Sequence, residues 1–413
     1  MLDYIRIACA VPQVQVANVE KNTQDICDFL EKADAQNVDV LLFPELAVTG
    51  YTCGDLFLQD TLLNAAEKGL ERILECSSKY PQLTAVVGLP VRTGVKILNC
   101  AAVVSGGQLR SLVSKTYLAD YGESSESRWF STAAEGTAVT VAGTTVFVDS
   151  ETLYPVADTL LGIEICEDLY APIAPSSVHA LSGAEVILNL AASPEVAGKR
   201  EVRRDRVAAQ SAACRCIYAY TSAGYTESTS DLVFSGHSLI AENGTVLCEN
   251  ASLTDTGYML VQDCDLGKVR AERRRNTTFR RAAERYSSDI ADLAPVVENL
   301  RSDGTLYPVQ KLPFIPSTAE KRKAYCLDIF QLQVTGLKQR LMTINSNAVI
   351  GISGGLDSTL ALLVAVEAIH QLNRPSTDVY GVTMPCFGTS DRTYNNSWEL
   401  MRKLGIVAKE ISI

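Results

Sequence analysis

Apolar residues fall in short dense runs separated by stretches of helical period, and this alternation predicts the architecture. Residues 4–10 (YIRIACA) and 38–43 (VDVLLF) are extended runs, with a helix predicted over 18–35 between them and a second over 61–78. Strand patterning returns at 84–89, 97–105 and 108–115, with Ser105-Gly106-Gly107 as the turn of a hairpin. Further strands are predicted at 144–148, 158–165, 184–190, 216–222, 233–242, 245–249 and 257–264, interrupted by a helix over 199–216. Many strands with few helices imply a layered α/β or α+β domain ending near residue 285.

From residue 287 to 316 the pattern dissolves, most completely at Leu312-Pro313-Phe314-Ile315-Pro316, and this segment reads as a linker. A different rhythm follows. A helix over 318–344, capped by Ser317, precedes strand 348–352, helix 357–371, strand 379–384, helix 390–404 and a strand from 407. Two strands and the start of a third are too few for a doubly wound sheet, so this region is expected to be an incomplete, truncated part of a larger domain. The expected division is therefore 1–286, a linker over 287–316, and 317–413.

Composition narrows the function classes. A hydrophobic fraction of 47% with 21% charged residues describes a soluble globular protein, and a net charge of −11 argues against broad attraction to nucleic acid or anionic membrane. No run reaches membrane-spanning length, and the N-terminus lacks the apolar core of a signal peptide. The twelve cysteines are scattered, and Cys9, Cys100 and Cys264 read as small core residues, which favours a reducing cytoplasmic compartment over a disulfide framework. His179, His237 and His370 have no metal-site spacing. Seven arginines between 270 and 285 read as a solvated or interface-lining helix, with an anion site as the lesser alternative.

Three segments carry the groups amide hydrolysis needs. Glu45 follows the strand at 38–43, Lys115 ends the strand at 108–115, and Cys166 follows the strand at 158–165. Strand ends at a sheet edge are where such groups converge. A thiol attacks a carbonyl as its thiolate and needs a base, a role open to Glu45; a cation such as Lys115 stabilises the tetrahedral oxyanion. Singly, each residue reads more readily as core filler or a surface charge.

The segments Phe43-Pro44-Glu45-Leu46, Lys115-Thr116-Tyr117-Leu118 and Ile165-Cys166-Glu167-Asp168 resemble the Glu, Lys and Cys signatures of the nitrilase, or carbon–nitrogen hydrolase, superfamily. Asn189-Leu190-Ala191-Ala192-Ser193-Pro194 and Gly198-Lys199-Arg200 resemble its later blocks. The resemblance implies a four-layer α-β-β-α sandwich, with Glu45 as base, Lys115 as oxyanion stabiliser and Cys166 as nucleophile. Glu126 matches the extra acid that often follows the lysine. Residues 118–130 resemble the glutaminase branch found in NAD+ synthetases, although Ser124-Ser125 replace its aromatic pair and Tyr170 stands where Trp is frequent. That match makes Tyr121, Tyr170, Ser193 and Lys199 candidate glutamine contacts.

The second centre is Ser353-Gly354-Gly355-Leu356-Asp357-Ser358-Thr359, at a strand–helix junction. Two glycines let backbone N–H groups approach a polyphosphate, a helix start adds unpaired donors, and Asp357 beside phosphate suggests a Mg2+ ligand. The loop lacks the Gly-Lys-Ser/Thr ending of the common NTPase loop. It resembles the pyrophosphatase-type ATP loop of adenylating enzymes, a doubly wound parallel α/β fold. Residues 384–393 (MPCFGTSDRT) resemble the following segment of glutamine-dependent NAD+ synthetases, with Cys386 where Gly is usual. In that family ammonia from glutamine amidates ATP-activated deamido-NAD+, so glutamine, ATP, Mg2+, deamido-NAD+ and a homo-oligomer are implied. The alternative is a stand-alone amidase fused to a different ATP-binding module.

Overall fold

The first apolar run forms β1 (Tyr4–Val11), whose Ile5, Ile7 and Cys9 enter one core cluster while Ala8 and Ala10 enter another. A strand buried on both faces loses the apolar–polar alternation, which is why this stretch is almost continuously hydrophobic. After β1 come α1 (Val19–Asp34), β2 (Val40–Leu42), α2 (Asp60–Ser77), β3 (Thr84–Thr93), β4 (Lys96–Ser105) and β5 (Gln108–Ser114). The chain continues with β6 (Thr137–Val141), β7 (Thr144–Val148), β8 (Tyr154–Val156), β9 (Thr159–Ile165), α3 (Pro175–Leu181) and β10 (Val186–Ala191). It then forms α4 (Lys199–Cys214), β11 (Ile217–Ser222), β12 (Ser238–Glu242), β13 (Thr245–Glu249), β14 (Tyr258–Asp265), α5 (Leu266–Arg275) and α6 (Thr277–Ala283). This computed structural model describes residues 3–134, 136–251, 257–285 and 299–412.

Two sheets result, in strand order β14-β1-β2-β3-β4-β5-β7-β6 and β13-β12-β11-β10-β9-β8. The core between them is built by Ile5, Ile7, Val40, Val86 and Val103 from one sheet and Leu161, Ile163, Val186, Leu188 and Ile217 from the other. Ile26, Leu30, Leu70 and Ile73 of α1 and α2 cover the outer face of the first sheet, and Ala180, Val207 and Cys214 of α3 and α4 cover the second. The order of layers is thus α-β-β-α, the expected sandwich.

Several local expectations change. The elements α3, β6 and β8 were not anticipated, because seven, five and three residues are too few for a period to show. The strand expected over 233–242 begins only at Ser238, since Gly236 at φ +66° turns the chain just before it. Helix α4 stops at Cys214, with Arg215 left-handed at φ +47°.

The arginine-rich segment needs a larger correction. Arg274, Arg275, Arg280, Arg281 and Arg285 are exposed, as expected of a solvated helix. Arg270, however, pairs with Glu185 (2.8 Å) and Asp158 (2.9 Å). Arg273 donates to the carbonyls of Arg215 (2.8 Å), Cys214 (3.2 Å) and Ala184. These oxygens lie where α4 ends and just beyond α3, and helix ends leave carbonyls that need donors. Of the expected linker, residues 286–298 lie outside the described residues. Residues 299–308 pack on the first unit: Arg301 meets Asp34 (2.6 Å), and Ser302 and the Leu306 N–H meet Asp263 (2.7 and 2.8 Å).

The chain separates into two compact units, Met1–Pro308 and Val309–Ile413. In the second, α7 (Ala319–Ile344) is capped by Thr318 rather than the expected Ser317, the Thr318 oxygen accepting the Lys321 N–H at 3.3 Å. It is followed by β15 (Ala348–Gly351), α8 (Leu356–Gln371), β16 (Val379–Thr383), α9 (Asp391–Lys403) and β17 (Val407–Glu410). The three strands are parallel in the order β15-β16-β17, over a core that includes Val334, Leu341, Leu362, Ile369, Val379 and Met401. Among the described residues, no helix is long and apolar enough to cross a membrane.

Candidate active sites

Glu45 sits in the turn after β2. That turn lies against β3 at Gly88, where a Cβ would stand 2.6 Å from the Pro44 oxygen and 2.9 Å from the Glu45 carbonyl carbon. Glu45 Oε1 accepts from Asn99 Nδ2 and from Lys115 Nζ, each at 2.7 Å. Lys115 Nζ also reaches Glu126 Oε1 at 2.7 Å. Glu126 is held in turn by the Tyr51 hydroxyl (2.9 Å) and the Ala119 N–H (3.0 Å). Glu45, Lys115 and Glu126 are each at most 2% exposed, so these charges interact in a nearly dry environment. Glu45 Oε2 is buried and has no hydrogen-bond partner.

Cys166 comes from the other sheet. It opens a short 3-10 turn, Cys166–Tyr170, directly after β9, with φ at +48°. Its N–H donates to Asn189 Oδ1 at 3.2 Å. Burial raises the thiol pKa, Glu45 and Glu126 raise it further, and Lys115 opposes them, so the resting group is a neutral thiol. Burial likewise raises the Glu45 carboxyl, against Lys115 and Asn99. For Lys115, burial acts against the charge, but the Glu45 and Glu126 carboxylates outweigh it and hold the ammonium well above its usual range. The arrangement provides a thiol, an acceptor with a free oxygen and a fixed cation within one electrostatic neighbourhood.

The expected glutamine contacts are placed unequally. Tyr121 is exposed, its hydroxyl donating to Glu167 at 2.9 Å, and burial and Glu167 push its phenol up to about 12. Tyr170 is half-buried and raised to about 12 by burial and by Cys166. Ser193 is buried, with its Oγ accepting from Arg203 at 3.2 Å. Lys199 starts α4, and its side chain has no hydrogen bond or ion pair among the described residues. Asn99 and Tyr51 were missed. An amide inside the apolar strand β4 was a usable signal for Asn99; nothing local marks Tyr51.

In the second unit the 353–359 loop joins β15 to α8. Gly354 has φ +80°, and a Cβ there would lie 2.9 Å from the Thr393 carbonyl carbon, so glycine is required on two counts. Ser353 Oγ meets Ser358 Oγ (3.1 Å) and accepts the Gly355 N–H (3.3 Å), while Thr359 Oγ1 donates to the Gly355 carbonyl (2.8 Å). Asp357 is exposed. A cleft of about 630 Å3 is lined by Gly354, Gly355, Leu356 and Thr359 and, across it, by Arg392 and Thr393 of α9. Among the described residues no group of three or more metal-ligating side chains exists, so a cation here would take Asp357 plus ligand and water oxygens.

With sheet order, layers and both centres in view, the class is defined: the chain belongs to the carbon–nitrogen hydrolase family, whose model matches residues 6–274. Residues 329–413 match the NAD synthase model. Across 99% of its length the chain is 34% identical to a glutamine-dependent NAD(+) synthetase from Mycobacterium bovis, and across 97% it is 28% identical to one from Thermotoga maritima. It spans 62% and 64% of those proteins, about three-fifths of their length. A glutamine-dependent NAD(+) synthetase from Cytophaga hutchinsonii shares the fold at TM-score 0.56 and 23% identity, over 99% of this chain and 65% of that one. A nitrilase-superfamily amidase from Nesterenkonia, at TM-score 0.52 and 21% identity, matches 66% of this chain and 96% of its own.

Proposed function

We propose that this chain is the glutamine-hydrolysing and ATP-loop portion of a glutamine-dependent NAD+ synthetase. The observation that carries this reading is Lys115 Nζ at 2.7 Å from both Glu45 and Glu126, in the neighbourhood of the Cys166 thiol, with Glu45 Oε2 unpaired. Glu45 takes the thiol proton as sulfur attacks the glutamine carboxamide carbon, and Lys115 meets the charge on the carbonyl oxygen. The proton passes to the amide nitrogen, ammonia leaves, and a glutamyl thioester remains. Water, deprotonated by Glu45, then attacks the thioester to free glutamate and restore the thiol. Tyr121, Tyr170, Ser193 and Lys199 are the residues assigned to binding glutamine.

In the second unit, Ser353, Gly354, Gly355, Leu356, Asp357, Ser358 and Thr359 are read as the phosphate cradle, and Asp357 would hold a Mg2+ ion that would neutralise phosphate charge. ATP adenylates the carboxylate of deamido-NAD+, pyrophosphate leaves, and ammonia displaces AMP to give NAD+. This part rests on the loop and on the kinship with the mycobacterial and Thermotoga synthetases. The domain division is read as 1–286, a connecting segment over 287–316 whose residues 299–308 pack on the first unit, and 317–413. The protein is read as cytoplasmic, consistent with twelve free cysteines, and as a homo-oligomer by its kinship alone.

The test is ammonia release from glutamine by the wild type and by Cys166→Ala, with ammonium and glutamine compared as nitrogen donors in the full-length protein. Cys166→Ala is expected to lose glutamine hydrolysis while ammonium-fed synthesis survives. Undiminished ammonia release by the variant would overturn the reading.

A further inference from the structure

Asp168 takes no part in the transfers above, yet its carboxylate is 1% exposed and is bonded to both sheets. Oδ2 accepts the N–H of Ile165, the residue before the nucleophile, at 2.9 Å. Oδ1 accepts the N–H groups of Thr116 (3.1 Å) and Tyr117 (2.8 Å), the two residues after Lys115. Cys166 directly follows β9 of the six-stranded sheet and Lys115 directly follows β5 of the eight-stranded one, so the two groups are carried by different layers. Cys166 lies inside the span that Asp168 closes. Its φ of +48° is unfavourable for a residue with a Cβ and persists only when its surroundings hold it.

We propose that Asp168 is a positioning residue that keeps Cys166 in its left-handed turn and fixes its separation from Lys115. Glu126 orients the Lys115 side chain through Nζ, whereas Asp168 fixes the backbone that carries it. The inference rests on Cys166 and Lys115 acting as nucleophile and oxyanion cation. A carboxylate accepts at both oxygens; an asparagine accepts at one and donates at the other, so Asp168→Asn keeps the shape and loses one side of the tie.

The experiment compares Asp168→Asn with the wild-type chain, counting sites by iodoacetamide alkylation of Cys166 read on its own peptide, because Cys326 and Cys386 are also exposed, and folding by thermal denaturation. Per titratable thiol, kcat for glutamine is expected to fall at least tenfold with KM changed less than threefold, and the alkylation rate of Cys166 to shift at least fivefold. Turnover and alkylation within twofold of wild type, with only the melting temperature lowered, would mean a merely structural role and end the proposal. Should the variant not accumulate folded, hydrogen exchange on the wild type decides. The Ile165 and Tyr117 amides must be as protected as the centres of β9 and β5, and rapid exchange at Tyr117 overturns the tie. A wild-type chain without glutaminase activity would instead remove the functional reading, while the alkylation comparison would still report on Asp168.

Discussion

Lys115 and its two carboxylates are almost wholly shielded from water, whereas Ser353, Gly355, Leu356 and Asp357 lie open to it. The first centre is assembled before any ligand arrives: one ammonium, two acids, an amide and a phenol already bond one another, and one oxygen of Glu45 is left unpaired. The second satisfies its hydroxyls with its own backbone and leaves a cleft. The contrast follows from what each is proposed to receive. A carboxamide is small and neutral, so the charge that develops on it must be met by groups fixed beforehand in a low dielectric. A polyphosphate brings its own charge and hydration, and needs reachable N–H groups more than burial.

That contrast is most exposed to failure at Lys115. Lys115→Met would leave Glu45 and Glu126 facing each other without a cation. A stability loss of about 3–5 kcal/mol is expected, along with a fall in glutamine hydrolysis of about 10²–10³-fold or more. Denaturant titration and ammonia release measure the two. A variant as stable as wild type would mean that the acids are not held by the cation, and the notion of a preassembled centre would fail.

A second, smaller effect sharpens the electrostatics. Because burial and the two carboxylates raise the Cys166 thiol, the thiolate fraction should keep growing through neutral pH. Alkylation of Cys166 by iodoacetamide, followed on its own peptide apart from exposed Cys326 and Cys386, is therefore expected to accelerate steadily from pH 6 to pH 9. A plateau below pH 8 would show a thiolate already formed at rest.

The smallest effect belongs to the open loop. Asp357→Asn should change folding stability by less than about 0.5 kcal/mol, since the side chain is exposed. A shift beyond about 1 kcal/mol in denaturant midpoints would show the loop to be built into its unit's stability rather than held ready for a ligand.

What could be read from sequence divides along physical lines. Glu45, Lys115 and Cys166 lie in compact motifs at strand ends, where local pattern and chemistry coincide, and the fold brings them to one place. A layered α/β or α+β domain was legible from many strands with few helices, whereas the four-layer sandwich came only with the family resemblance. Asn99 and Tyr51 act through partners 54 and 75 positions away along the chain, a separation that no local window captures. Arg270 and Arg273 misled for the opposite reason: they share a basic run with five exposed arginines, and only the carbonyls and acids facing them set them apart. Short elements such as β8 carry too few residues to declare a period.

Gly88 has no polar atom to offer the reaction, yet the turn bearing Glu45 rests directly on its Cα. Any larger residue there would push Glu45, the proposed base, sideways while leaving Glu45, Lys115 and Cys166 unaltered in the written sequence. If those three residues act as proposed, a survey of genomes that certifies such enzymes by three letters alone would pass inert copies as working ones, and the letter to add to its checklist is the glycine beneath them.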